Sequence, residues 1–162
     1  LPQLTISVVN GFAAGAGFSL AVSTDLTIAE EHAKFIIAFK NVGLIPDLGL
    51  HYHLQKALGS RIAKEWVYQG KTLSALEAQS YHFVNQVVAK DQGLEQALKV
   101  ADELLTGPIE AFKVSKRIFN ELEDAQLNEV MGKENLLQVI LRGEDEHARS
   151  LQQFLQNKSV KT

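Results

Sequence analysis

Apolar and polar positions divide the chain into a first part of short mixed elements and a second part of long helices. Short apolar, β-branched runs, typical of buried strands, lie at 4–9, 26–30, 35–39 and 84–89. Helical periodicity in the first part covers 15–24, 49–69 with a break at Gly59 and Ser60, and 74–81 from a Ser74 cap. Further amphipathic helices are predicted at 94–105, 109–122, 127–142 and 144–157. The predicted fold class is α/β.

A run of small residues lies between the first predicted strand and the first predicted helix. Residues 9–21 read Val-Asn-Gly-Phe-Ala-Ala-Gly-Ala-Gly-Phe-Ser-Leu-Ala. Glycine and alanine let the backbone approach a ligand, and the first N–H groups of a helix point outward with the positive end of its dipole. Such a turn binds a phosphate, a carboxylate or a developing enolate oxygen. A turn whose residues are small only for packing explains the motif equally well.

Residue identities argue against a nucleotide site in this turn. A phosphate-binding loop needs a lysine and a hydroxyl residue at the helix start, whereas Gly17 is followed by Phe18 and Ser19. A dinucleotide fingerprint needs a third small residue where Leu20 stands.

Composition narrows the function classes further. The 162 residues carry 16 basic and 19 acidic side chains, a net charge of −3, without a basic patch, so nothing indicates nucleic-acid binding. No apolar run reaches membrane-spanning length, and no signal peptide precedes the first strand, so no membrane association is expected. The absence of cysteine excludes disulfides and thiolate metal sites and fits a cytoplasmic protein. His51 and His53 point to different sides of a helix, so no metal site is expected.

A second segment favours one of these interpretations of the small-residue turn. Residues 33–50 form an apolar run that ends in Gly43-Leu44-Ile45-Pro46 and opens another helix, and residues 70–78 form a later Gly-x-x-Leu-Ser-Ala-x-Glu-Ala helix start. Together with residues 9–21 and Asp25 at the end of the first helix, these motifs resemble the crotonase family, the enoyl-CoA hydratases and isomerases. The resemblance spans essentially the whole chain and covers the C-terminal two-thirds of the family pattern.

The resemblance implies a particular architecture. It implies a crotonase-like ββα spiral that lacks its first turns, followed by a C-terminal helical trimerisation region. Residues 1–92 would form the partial spiral core with the active-site turn, and residues 93–162 the helical region. A homotrimer or a dimer of trimers is the implied assembly.

The resemblance also implies the chemistry. The family binds an acyl-CoA thioester with its carbonyl oxygen between two backbone N–H groups, one of which would be the N–H of Ala16, with Gly15 and Gly17 beside it. Coenzyme A is then part of the substrate, and no separate cofactor is expected. A hydratase of this family uses two glutamates, which would fall at Ser19 and Phe39. Because neither side chain transfers protons near neutral pH, hydration is disfavoured.

Asp47 is the carboxylate that remains at the second turn. In isomerase branches of the family an acidic residue at this position is the catalytic base, and moving a double bond needs only one shuttling carboxylate. We therefore expect Asp47 to be the proton shuttle of an enoyl-CoA isomerase. The alternative is an ordinary helix N-cap. An i,i+4 hydrogen bond from His51 could orient the carboxylate.

Several further residues complete the expected site. Phe35, Phe39 and Leu44 would form apolar walls of the acyl pocket, and Ser19 would line it. Phe154 and Lys158 resemble the family's residues near the coenzyme A of a neighbouring subunit, although a plain surface lysine explains Lys158 equally well. The rival hypothesis is a non-catalytic crotonase relative for acyl-CoA binding or assembly. The bulky Leu48 and Leu50 favour it, because they replace small residues beside the turn.

Overall fold

The computed structural model describes residues 1–159, with side chains up to residue 157. Its strands are β1 (Ile6–Val9), β2 (Phe12–Ala14), β3 (Leu26–Glu30), β4 (Lys34–Ile36), β5 (Thr72–Ser74) and β6 (Gln86–Val88). Its α-helices are α1 (Ala16–Val22), α2 (Leu50–Gln69), α3 (Ala75–Ser80), α4 (Gly93–Leu105), α5 (Ile109–Arg142) and α6 (Asp145–Ser159). A 3-10 helix covers Phe39–Val42.

The strands form two three-stranded sheets, and strands β1 to β4 alternate between them. The first sheet has the parallel order β1-β3-β6; in the second, β2 and β4 run parallel and β5 pairs antiparallel with β4. The turn at Asn10 and Gly11 moves the chain from the first sheet to the second, and residues 31–33 repeat the move between β3 and β4. This winding places β1-β2-α1 beside β3-β4, as in a ββα spiral.

Aromatic and aliphatic side chains from both sheets and from α1, α2 and α3 form one core. Phe18 packs edge-on against Phe35 at 5.2 Å and against Phe83 at 5.6 Å between ring centroids. Trp66 of α2 closes the same cluster and contacts Tyr81 at 4.8 Å. Trp66 is thus part of the core.

Several helix boundaries in the structure agree with local signals in the sequence. Ser74 caps α3 in a capping box, accepting from the Glu77 N–H while the Glu77 carboxylate accepts from the Ser74 N–H. Gly59 interrupts α2 with φ 74° and ψ 159°, as the sequence predicts. Asp25 is an ion-pair partner of Lys116 at 2.7 Å and accepts from the Thr5 N–H. Burial raises the pKa of Asp25, but these hydrogen bonds outweigh it and hold the pKa below its ordinary value.

Three predicted elements differ from the structure. The separate helices at 109–122 and 127–142 are wrong, because α5 continues through the intervening residues. That stretch, Glu123 to Gln126, contains no glycine or proline, so a gap in the apolar stripe does not end the helix. Residues 12–14, expected to be loop, form β2, and residues 37–39, expected to be strand, lead into the 3-10 helix.

The C-terminal helices pack on the spiral rather than beside it. Helix α4 lies on β1 and β3, and a side chain at Gly93 would come within 2.7 Å of Val8 Cγ1. Helix α5 contacts α2, and α6 contacts the 3-10 helix. These contacts join the expected helical region, residues 93–162, to the expected spiral core, residues 1–92. Through residue 159, no helix combines the length and apolar character needed to span a membrane.

Candidate active site

The small-residue turn contains a glycine in a backbone conformation that other residues rarely adopt. Gly15 has φ +56° and precedes α1, and its carbonyl accepts from the N–H groups of Phe18 and Ser19. Among the described side chains none caps α1, and its first turn carries no acidic residue, so the helix start presents uncapped N–H groups at the exposed Ala16 and Gly17. This arrangement can accept a carbonyl or enolate oxygen.

Phe39 lies directly against the turn. A Cβ added to Gly15 would come within 3.7 Å of Phe39 Cζ, so the structure brings these two predicted site residues together. Leu44 is half-buried and packs on the core. Ser19 is fully buried, with its hydroxyl 3.4 Å from the Gly15 carbonyl, and Phe35 is fully buried against Phe18. Ser19 and Phe35 therefore face the interior in this structure.

The two residues predicted to approach coenzyme A lie on α6. Phe154 is half-buried there. The side chain of Lys158 lies outside the described residues.

The second turn, residues 43–49, has unusual backbone angles. Gly43 has φ +64°, Leu48 has φ +53° and Gly49 has φ +81°. A Cβ at Gly43 would meet the backbone of His147 on α6 at 3.2 Å, and one at Gly49 would meet Leu127 Cδ1 on α5 at 2.7 Å. Helices α5 and α6 thus lie close against the turn, and the positive φ at Gly43 and Gly49 favours glycine at these two positions.

Asp47 is not the N-cap of α2. The N-cap is Gly49, and the Asp47 carboxylate accepts no N–H from the described backbone. Instead, Asp47 Oδ2 accepts a hydrogen bond at 3.2 Å from Nε2 of Gln138 on α5. Asp47 Oδ1 is buried and has no hydrogen-bond partner among the described residues. The capping alternative is therefore wrong, and the carboxylate has one held oxygen and one free oxygen.

Glu134 performs the capping that the sequence assigned to Asp47 as an alternative. Its carboxylate, 3% exposed, accepts from the Gly49 N–H at 2.7 Å and from the His51 N–H at 3.3 Å. It also lies 2.7 Å from His51 Nδ1. The expectation that His51 orients Asp47 is therefore wrong, because its ring pairs with Glu134.

Glu134 and Gln138 were missed by the sequence interpretation. They lie four residues apart, on the α5 face that also carries Leu127 and Met131, and both are buried. A polar residue inside an otherwise apolar stripe was the available signal, since buried polar groups require partners. Nothing in the sequence indicated that the partner would be a turn more than 80 residues earlier.

The surroundings of His53 shift the pKa of its imidazole. Burial lowers its pKa, the charge of Lys56 lowers it further, and the Glu134 carboxylate opposes the shift. Together with Lys56 and Asp25 it lines a cavity of about 340 Å³. In the part of the chain that the structure describes, no cluster of three histidine or acidic side chains could hold a metal ion.

Comparison with known proteins identifies the family of the chain. The family model described as enoyl-CoA hydratase/isomerase matches residues 1–161. YhaR of Bacillus subtilis (strain 168), which its name places among the enoyl-CoA hydratases/isomerases, is 34% identical over 99% of this chain and 63% of its own length. The 1,2-epoxyphenylacetyl-CoA isomerase of Escherichia coli (strain K12) is 33% identical over 98% of this chain and 61% of its own length.

Solved structures show the same fold. The crystal structure of an enoyl-CoA hydratase from Mycobacterium avium subsp. paratuberculosis K-10 superposes with a TM-score of 0.91 at 31% identity, covering 97% of this chain and 64% of that one. The chain thus spans a little under two thirds of the length of these relatives. On sequence and on fold, the chain belongs to the enoyl-CoA hydratase/isomerase, or crotonase, family.

Proposed function

We propose that the chain carries the active-site turns of an enoyl-CoA double-bond isomerase with Asp47 as its proton shuttle. The observation that carries this proposal is the asymmetric Asp47 carboxylate, with Oδ2 held by Gln138 and Oδ1 buried without a partner. Such a carboxylate has one oxygen without a hydrogen bond, which can take and return a proton once the turn opens to a substrate.

The reaction balances without a co-reactant. Asp47 Oδ1 takes a proton from C2 of a 3-enoyl-CoA, and the electron pair of the broken C–H bond moves into the thioester, making a dienolate. The Ala16 N–H stabilises the thioester oxygen, an interaction worth about a hundredfold to a thousandfold in rate. Asp47 then returns the same proton to C4, and the double bond shifts to C2–C3.

The residues at the two expected glutamate positions support isomerisation over hydration. Ser19 is buried and directs its hydroxyl to the Gly15 carbonyl, and Phe39 packs on Gly15. Neither side chain can activate water or deliver a proton near neutral pH. We expect no appreciable hydration of crotonyl-CoA, measured as loss of the conjugated enoyl absorbance in the natural polypeptide that contains this chain.

Asp47→Asn tests the proposal. We expect isomerase turnover of a 3-enoyl-CoA to fall by at least about a hundredfold, the low end for general acid–base catalysis, while acyl-CoA binding is retained. The matched control is Asp124→Asn, at an exposed position of α5, which should leave turnover unchanged. Full turnover in the Asp47→Asn variant would refute the assignment.

The rival is a non-catalytic protein of the same fold that binds acyl-CoA or assists assembly. The enclosure of Asp47 Oδ1 favours it, because a substrate reaches that oxygen only if the turn opens. Acyl-CoA binding without turnover, unaffected by Asp47→Asn, would be its signature.

Two further proposals concern assembly. Exposed apolar side chains on α5 and α6 include Val114, Ile118, Phe119, Leu122, Val139, Ile140 and Leu155. A single chain leaves this surface uncovered, which supports a homotrimer or a dimer of trimers. Sedimentation that shows a stable, folded monomer at micromolar concentration would contradict it.

The second assembly proposal concerns the free sheet edges. Strands β1 and β2 each pair on one side only, and a groove of about 500 Å³ runs along them past Gly17 and Leu20. We propose that further ββα turns, on the same or another polypeptide, pair with these edges and supply the second oxyanion donor. Protection from hydrogen exchange of the β1 amides that face away from β3, in the natural polypeptide, tests this proposal, and exchange of those amides without protection would contradict it.

A further inference from the structure

Gln138 is the side chain that contacts the Asp47 carboxylate. Its Nε2 donates to Asp47 Oδ2 and to the Ile45 carbonyl, both at 3.2 Å, and its Oε1 accepts from the Ile45 N–H at 3.3 Å. The side chain is 6% exposed. One buried amide on α5 therefore binds both backbone polar groups of Ile45 and the carboxylate two residues later.

The partners of Gln138 determine the orientation of its amide. With oxygen and nitrogen exchanged, the NH₂ group would face the Ile45 N–H, and the oxygen would face both the Ile45 carbonyl and the carboxylate. Donor would then oppose donor, and acceptor would oppose acceptor. Since only the observed orientation satisfies all three bonds, the backbone of Ile45 aims the amide N–H at Asp47.

This contact makes the two carboxylate oxygens of Asp47 inequivalent. Oδ2 accepts the Gln138 bond, whereas Oδ1 is buried and has no partner among the side chains and backbone groups that the structure describes. A buried acceptor without a partner costs free energy, and such groups in native proteins call for an explanation. A proton-transfer role for Oδ1 supplies one.

We infer that Gln138 is the positioning residue of this site, holding Asp47 Oδ2 so that Oδ1 receives and returns the proton. The inference rests on the proposed function of Asp47. A neutral amide suits the role chemically, because a lysine there would form an ion pair with the carboxylate and a glutamate would repel it. Gln138 contacts no reacting atom and acts through Asp47.

A double-mutant cycle tests the inference in the natural polypeptide. Gln138→Met removes the amide with little change in volume, and we expect kcat for a 3-enoyl-CoA to fall about tenfold, as for one lost hydrogen bond to a charged group, with KM within about twofold. In the Asp47→Asn background the same change should have no further effect on the residual kcat. Gln126→Met, at an exposed position of the same helix, is the matched control.

The outcomes separate the inference from the proposal beneath it. Unchanged kcat in Gln138→Met, or an equal fall in both backgrounds, overturns the positioning role while leaving Asp47 as the base. Full activity of Asp47→Asn overturns the proposed function itself. If Gln138→Met does not fold, Gln138→Glu replaces it, because that carboxylate still accepts from the Ile45 N–H but repels Asp47. Retained kcat in Gln138→Glu would also overturn the inference.

Discussion

Replacement of Glu134 is the most direct test of how α5 stabilises the second turn. The carboxylate accepts from the buried Gly49 N–H, from the His51 N–H and from His51 Nδ1. Glu134→Leu removes all three acceptor contacts. Glu134→Gln keeps an oxygen for Gly49, and its NH₂ group can donate to His51 Nδ1 in the other tautomer of the ring.

The structure sets the size of each effect. In Glu134→Leu the buried Gly49 N–H is left unpaired, which costs about 1–3 kcal/mol, and the N-terminus of α2 loses its carboxylate, worth about 0.3–1 kcal/mol. Two effects reduce this loss: water can bind the half-exposed His51 ring in place of Glu134, and a buried leucine carries no charge that must be desolvated. We expect the free energy of unfolding to fall by about 2–3 kcal/mol in Glu134→Leu and by about 1 kcal/mol in Glu134→Gln.

Urea denaturation at pH 7 and fixed protein concentration measures both values. Thermal midpoints should follow, because about 1 kcal/mol corresponds to roughly 2–4 °C in a domain of this size. Glu129→Gln is the matched control, since Glu129 forms an exposed pair with Lys133 and should change stability by less than about 0.5 kcal/mol. Equal losses in Glu134→Leu and Glu134→Gln would refute the assignment of the buried N–H as the main contribution.

Three further predictions concern stability. Burial lowers the pKa of His53 below 6.5, so the unfolded chain binds its proton more readily. The free energy of unfolding should therefore fall below pH 6.5 by at most about 1.4 kcal/mol per pH unit, until the folded-state pKa is reached, and urea midpoints of His53→Gln should lack this slope. Because Leu48 has φ +53°, the free energy of unfolding measured in urea should be about 1 kcal/mol higher for Leu48→Gly than for Leu48→Ala. The reverse order would exclude backbone strain at this position. Ser74→Ala should cost about 1 kcal/mol by the same assay, and no change would show that the capping box contributes nothing.

Local signals account for the parts of the fold that the sequence predicted. The apolar run of β3, the Ser74 cap and the Gly59 break each depend on neighbouring residues, so they are readable from a single sequence. Family resemblance, rather than periodicity, indicated the spiral. The order of the strands in the two sheets depends on pairings between distant residues, which no local pattern contains.

The candidate site likewise has a part that local motifs predict and a part that depends on distant residues. The Gly15 turn and the position of Asp47 follow from motifs, but the partner of Asp47 does not. Asp47 is a candidate cap of its own helix in the sequence because a sequence shows only the donors and acceptors that lie nearby along the chain. In the structure Glu134 binds the N-terminus of α2 and Gln138 binds Asp47, because the 34-residue helix α5 brings both side chains to the turn.

The sequence separation of these contacts bears on the order in which the protein folds. Strands β1 and β3 pair Ile6 with Leu26, a short loop, whereas the bonds from α5 to the second turn join residues 85 to 93 positions apart. Contacts of high sequence separation require a large loop to close before they contribute any stability, so they tend to form late. The pairing of β1 with β3 can therefore precede the contact that orients the Asp47 carboxylate. The chemistry of the site would then be acquired only when α5 docks, after most secondary structure is in place.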